Sequence, residues 1–169
     1  MSTLKKNFGR KQQWRNEAIA YLVESLADLG QRACQDAIDA ADYTNRKYNL
    51  RDSYGSAVYV DGKIVPSSKR YAHRKSSKGP YVDKGYDGDG VTEITGREAL
   101  DRYWDNHERL PNARNTVELV VVAATFYAGI LESAGYEVLS AAVDTIEDEM
   151  EEYKSFRPKL RAHADHFDL

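Results

Sequence analysis

The stretch from Asn115 to Ala128, Asn-Thr-Val-Glu-Leu-Val-Val-Val-Ala-Ala-Thr-Phe-Tyr-Ala, most constrains what this chain can fold into. It is continuous, apolar and rich in β-branched side chains, which are stiff at χ1 and suit a pleated backbone. Such a run is long enough for a strand buried on both faces. The pattern breaks at Gly129 and Gly135 and resumes as Val138, Leu139, Ala142, Val143, Ile146, Met150 and Tyr153. Steps of three and four put those residues on one face of a helix. The opposite face carries Asp144, Glu147, Asp148, Glu151 and Glu152. A buried strand that feeds an acidic amphipathic helix needs the rest of the chain to supply partners for both.

A chain of 169 residues predicts one domain with a real core. Mild acidity, with a pI near 5.8, argues against a general nucleic-acid coat or a membrane-surface protein but permits a local basic patch. Charged residues make up 30% of the chain, so much of the surface is polar. Twelve tyrosines against four phenylalanines suit interfaces and half-wet loops, because Tyr joins an apolar body to a polar tip. The single Cys34 excludes an internal disulfide framework and a multi-cysteine zinc site, and its helical setting with Ala33 and Ala37 reads as a small core residue. No apolar run approaches the length of a membrane span, and the basic start lacks the apolar core of a secretory signal.

Residues 1–10 read as a polar, basic, flexible arm. From about Lys11 to Ala41, Trp14, Ala18, Leu22, Leu26, Leu29, Ala33 and Ala37 recur at helical steps. Gly30 inside that run implies a kink or close packing. Tyr54 to Val60 reads as a strand, and Asp61-Gly62 before Lys63-Ile64-Val65-Pro66 is a hairpin signal. Pro66 ends the second strand or places it at an edge. Residues 67–90 read as a long irregular segment. Thr95 and Glu98 form a capping box that starts a helix through Tyr103 and Trp104, closed before Pro111. The expected architecture is α+β: a small antiparallel sheet with a β-hairpin, covered on one face by a long N-terminal and a C-terminal helix. One domain spans 11–154, with 67–110 as an inserted loop and short helix, and 155–169 form a tail.

No cofactor or catalytic constellation stands out. His163 and His166, with Asp165 between them, lack the context of a zinc site and read as solvated tail residues. Asp87-Gly88-Asp89-Gly90 lacks the ligand spacing of a calcium loop and reads as a turn. The carboxylates of the last helix read as a solvated face. The basic segment 67–84 holds Lys69, Arg70, Arg74, Lys75, Lys78 and Lys84 beside Tyr71 and Tyr81. It could neutralise phosphates and stack bases, which gives a nucleic-acid-binding protein as the alternative function. It could also meet an acidic surface on another subunit, and Glu147, Asp148 and Glu151 supply one. Opposite charges on two regions of one chain suit head-to-tail association into a ring, the favoured reading.

Two segments bear a resemblance to a known family. Asn49-Leu50-Arg51-Asp52-Ser53, between a long helix and a strand, resembles the Asn-Leu-Arg-x-Ser segment of tailed-phage tail-completion (neck) proteins. Tyr127-Ala128-Gly129-Ile130-Leu131-Glu132, followed by Gly135 and a closing helix, resembles their Tyr-Ala-x-x-x-Glu-x-x-Gly segment. The two occur in family order, and with the helices they span roughly 11–152. The resemblance implies a non-enzymatic virion protein without cofactors, made in the host cytoplasm and built into the neck as a six- or twelve-fold ring. Its implied neighbours are the portal, adaptor or head-closure protein on one side and tail-tube or tail-terminator proteins on the other. Genome DNA passes through such a ring without specific recognition, and no membrane is involved. The chain departs from the pattern where Lys47-Tyr48 replace the usual Thr-Gly before Asn49. The segments at 67–90 and 96–108 also exceed the minimal family length.

Overall fold

The computed structural model describes residues 3–41, 49–71, 79–83, 92–111 and 113–151. The basic residues Arg74, Lys75, Lys78 and Lys84, the expected turn at 87–90 and the expected tail with His163 and His166 lie outside them.

The chain opens with helix α1, Thr3–Ala40, which begins ahead of the expected start at Lys11 and takes in most of the expected flexible arm. A single turn, α2 (Asn49–Asp52), leads into β1 (Tyr54–Val60). Strand β2 (Lys63–Ile64) returns through the Asp61-Gly62 turn, whose φ values of 52° and 73° match the left-handed geometry that this dipeptide favours. Pro66 opens a 3-10 turn over Pro66–Ser68, and the short strand β3 (Arg70–Tyr71) follows. Then come β4 (Tyr81–Asp83), β5 (Thr92–Ile94), α3 (Gly96–Asn106), β6 (Val117–Ala123), α4 (Ala128–Ser133) and a last helix, α5, over 140–151.

Strand β1 is the centre. It pairs antiparallel with all of β6, from Tyr54 opposite Ala123 to Val60 opposite Val117. Its other side is shared by β2 at one end and β3 at the other. Between them Ser68 fills the gap: its hydroxyl accepts from Val58 N–H at 2.8 Å and donates to Val65 C=O at 2.7 Å. Strands β4 and β5 form a separate antiparallel pair. Strand β4, like β3, falls within the segment 67–90 whose sequence reads as irregular.

Both faces of the main sheet are covered. Tyr54, Ser56 and Val58 face α1, and α5 packs beside α1 over Val121 and Ala123. On the opposite face Ala57 and Tyr59 meet Leu100 and Trp104 of α3. The two main helices share one face, as their periodicity predicts, and the capped helix takes the other. This makes β1, and not β6, the strand buried along its length. Strand β6 is half-buried throughout, and among the described residues it lies at an edge of the sheet. Asp61 N–H donates to Thr116 C=O, and Ala124 N–H to Ser53 C=O. By the alternation of an antiparallel ladder, the backbone groups of Val117, Leu119, Val121 and Ala123 then point outward, with no strand partner among the described residues.

Length explains what happens to the stripe on α1. Its 38 residues span about 57 Å, whereas the seven residues of β1 span about 23 Å. The sheet covers only the C-terminal part of the helix, where Leu26, Leu29, Ala33 and Ala37 are buried. Trp14, on the same sequence stripe, is 72% exposed. At Gly30 the helix lies close against the sheet. A Cβ there would fall 2.4 Å from Ser56 Oγ and 2.8 Å from Leu119 Cδ1.

Gly30→Ala is therefore expected to destabilise the fold by about 1–3 kcal/mol through overpacking. Gly129 lies within α4, and a Cβ there would meet nothing within 4 Å. Gly129→Ala should thus stabilise by up to about 1 kcal/mol through helix propensity. Urea unfolding of the two variants should give shifts of opposite sign.

Candidate functional site

The segments that carry the family resemblance come together at one end of the β1–β6 pair. Asn49–Ser53 ends where β1 begins. The chain turns at Thr125 beyond the end of β6 and enters α4. Since Tyr54 sits opposite Ala123, the two segments are neighbours in space.

Asn49 is buried and acts as a three-way tie. Its Oδ1 accepts from Gly96 N–H at 2.9 Å, one of the donors that the first turn of α3 leaves free. Its Nδ2 donates to Gly79 C=O at 3.0 Å, just before β4. Gly96 is required at this approach, because a Cβ would stand 1.8 Å from the Asn49 carbonyl oxygen. Leu50 is buried in the core under α1. Arg51 is half-buried. Ser53 Oγ donates to Leu50 C=O at 2.8 Å and closes the turn into β1. Residue 54 then reaches across the fold, its phenol donating to Val138 C=O at 2.7 Å.

The second segment anchors the last helix. Glu132 accepts from the backbone N–H of Val138 at 3.0 Å and of Leu139 at 3.1 Å, and from Ser140 Oγ at 3.2 Å. A carboxylate over the free donors at the start of α5 satisfies them and opposes the positive end of the helix dipole. Ala128 is buried against the same core. Tyr127 meets Tyr81 edge-on at 5.4 Å and joins Phe126 in an aromatic cluster beside β4. Gly135 has φ +86°, so it carries the turn that lets Glu132 fold back onto the helix start. Gly129 does not share that role, because it is a helical residue of α4.

The charged residues expected at an interface divide into two groups. Lys69 is half-buried, its N–H bonded to Pro66 C=O at 3.3 Å. Arg70 is engaged within the chain, donating to Ser67 C=O at 2.8 Å and facing Asp28 at 3.7 Å. Arg74, Lys75 and Lys78 lie outside the described residues. Glu147, Asp148 and Glu151 lie exposed on α5. Their neighbour Glu149 pairs with Arg32 of α1 at 2.9 Å.

Cys34 is buried, and burial pushes its thiol up to about 12, so it stays a neutral packing group beside Ser56. Burial also raises the Tyr59 phenol to about 12, with Tyr103 adding a smaller push. Among the described residues no group of three or more His, Cys, Asp or Glu side chains is arranged to hold a metal ion. No helix there is long and apolar enough to cross a membrane.

Sequence reasoning missed Tyr54 and Gly96 as structural ties. Neither has a local signal, since each partner lies far away in sequence. The capping box at Thr95–Glu98 was legible because both partners lie within one turn. Donation from the Thr95 backbone and hydroxyl holds the Glu98 carboxyl below its ordinary value of about 4.5. A lowered carboxylate pKa adds stability above the unfolded value and loses it as pH falls through the folded value. Thermal stability should therefore drop below about pH 4.5, and Glu98→Gln should flatten that part of the profile. Asn49→Ala, which leaves Gly96 N–H and Gly79 C=O without their partner, should cost about 2 kcal/mol or more in chemical denaturation. Comparison of the chain with protein-family models, with curated proteins and with solved structures finds no match.

Proposed function

We propose that this chain is a structural head–tail joining protein of a tailed bacteriophage, assembled as a ring in the virion neck. The observation that supports this reading is the meeting of the two resembling segments at one end of the β1–β6 pair. Asn49 ties α2 to α3 and to the approach to β4, while Glu132 holds the start of α5. Each residue has a scaffolding task that its chemistry explains, so the segments act as one brace for the sheet. The brace leaves the outer faces of the helices and the β6 edge for neighbours, as a ring protomer requires.

In this reading the protein is no enzyme and needs no cofactor. Six or twelve copies close the ring. The portal, adaptor or head-closure protein lies on one side, and tail-tube or tail-terminator proteins lie on the other. Genome DNA passes through without being read.

Light scattering on the full-length chain over a salt series, with and without duplex DNA, tests the reading. Mass spectrometry of purified virions gives a second readout. The expected result is a closed oligomer of six or twelve copies that ignores DNA, together with the chain present in virions. A monomer that binds DNA with a steep salt dependence overturns the proposal and moves the function to the basic segment 67–84.

A further inference from the structure

The N-terminal part of α1 extends past the sheet, and its surface does not suit water. Trp14 is 72% exposed and Tyr21 71% exposed. They lie seven residues apart and so share one side of the helix. An open groove of about 800 Å³ separates this part of α1 from the β1–β2 turn, with Ile19 and Val23 on one wall and Val60 and Val65 on the other. The arm is also basic in sequence: Lys5, Lys6, Arg10, Lys11 and Arg15 all precede the first acid, Glu17.

Helix α5 carries the complementary features. Val143 is 49% exposed and Met150 39% exposed, again seven residues apart. In both helices the apolar pair is thus spaced by about 10.5 Å along the axis. Glu147, Glu151, Asp144 and Asp148 follow the pair around one side of the helix and are exposed. The described part of α5 cannot reach the arm of its own chain. It runs antiparallel to α1, with Thr145 bonded to Asp36 and Glu149 paired with Arg32. Its residue 151 is then level with about residue 30 of α1, leaving Trp14 about 24 Å further along.

We infer that the α1 arm of one protomer docks on the α5 face of the next, with Trp14 and Tyr21 seated against Val143 and Met150. The inference rests on the ring reading above and names the contact that closes the ring. Two basic arms side by side would repel, which disfavours a two-fold arm-to-arm dimer. Basic arm to acidic helix is a head-to-tail contact, the kind that generates a closed ring. It also gives the acidic helix a partner that does not depend on the 67–84 segment, where Arg70 is already engaged within its own chain.

The test uses the full-length chain and three variants: Arg10→Glu/Lys11→Glu/Arg15→Glu, Glu147→Lys/Asp148→Lys/Glu151→Lys, and both sets in one chain. Circular dichroism establishes that each is folded, and light scattering gives its mass. Each single set should reduce the oligomer to monomer, and the combined chain should regain the wild-type mass. Trp14→Ala should raise the dissociation constant by about 30-fold or more. Acrylamide quenching of wild type should fall on assembly, while Trp14→Phe, which keeps only the buried Trp104, should show no change. An oligomer of unchanged mass in the arm variant overturns this contact and leaves the ring reading standing. A wild-type chain that stays monomeric at every concentration overturns both. A monomer whose arm instead retards DNA in a gel replaces the second copy with nucleic acid.

Discussion

The antiparallel pairing of β1 with β6 is the interaction on which the rest depends. Seven residue pairs, in one register, set which side chains face α1 and which face α3. Alternation along β1 places Tyr54, Ser56 and Val58 on one face and Gly55, Ala57 and Tyr59 on the other. A slip of one residue would exchange these sets. It would take Tyr54 and Val58 from their places under α1, and Tyr59 from its contact with Leu100 and Trp104. The register is thus fixed from outside the sheet, by the helices that pack on its two faces.

The ends of the same pair carry the braces. Asn49 and Glu132 do related jobs with different chemistry: each supplies an oxygen acceptor to the free donors at a helix start, one an amide and one a carboxylate. Both helices so held, α3 and α5, pack on opposite faces of the sheet. The end of the β1–β6 pair therefore governs how both layers sit. Such a braced arrangement is what the proposed ring protomer would need, since its exposed surfaces would repeat around the ring.

Much of this was legible in the sequence wherever partners are close in the chain. The span of β1, the Asp61-Gly62 turn and the Thr95–Glu98 capping box all follow from local rules of turn and cap chemistry. The acidic face of α5 was legible too. The periodic stripes were read correctly as helical but too generously as buried. Trp14, Val143 and Met150 lie on the stripes and yet are exposed, because periodicity reports a side of a helix and not how much of that side another element can cover.

The sequence by itself determined the longer elements and the α+β class, since β-branched runs, helical steps and turn residues act over a few residues; the short strands β3, β4 and β5 and helix α4 carry no such local signal. It did not contain the rank of the strands. The longest apolar run, β6, is an edge among the described residues, and β1 took the centre because it has partners on both sides. Nor did it show that the short helix α3 would cover the second face, or that Asn49 and Gly96 would meet. Those outcomes belong to the tertiary structure, because they depend on which surfaces remain unpaired once the strands are in register.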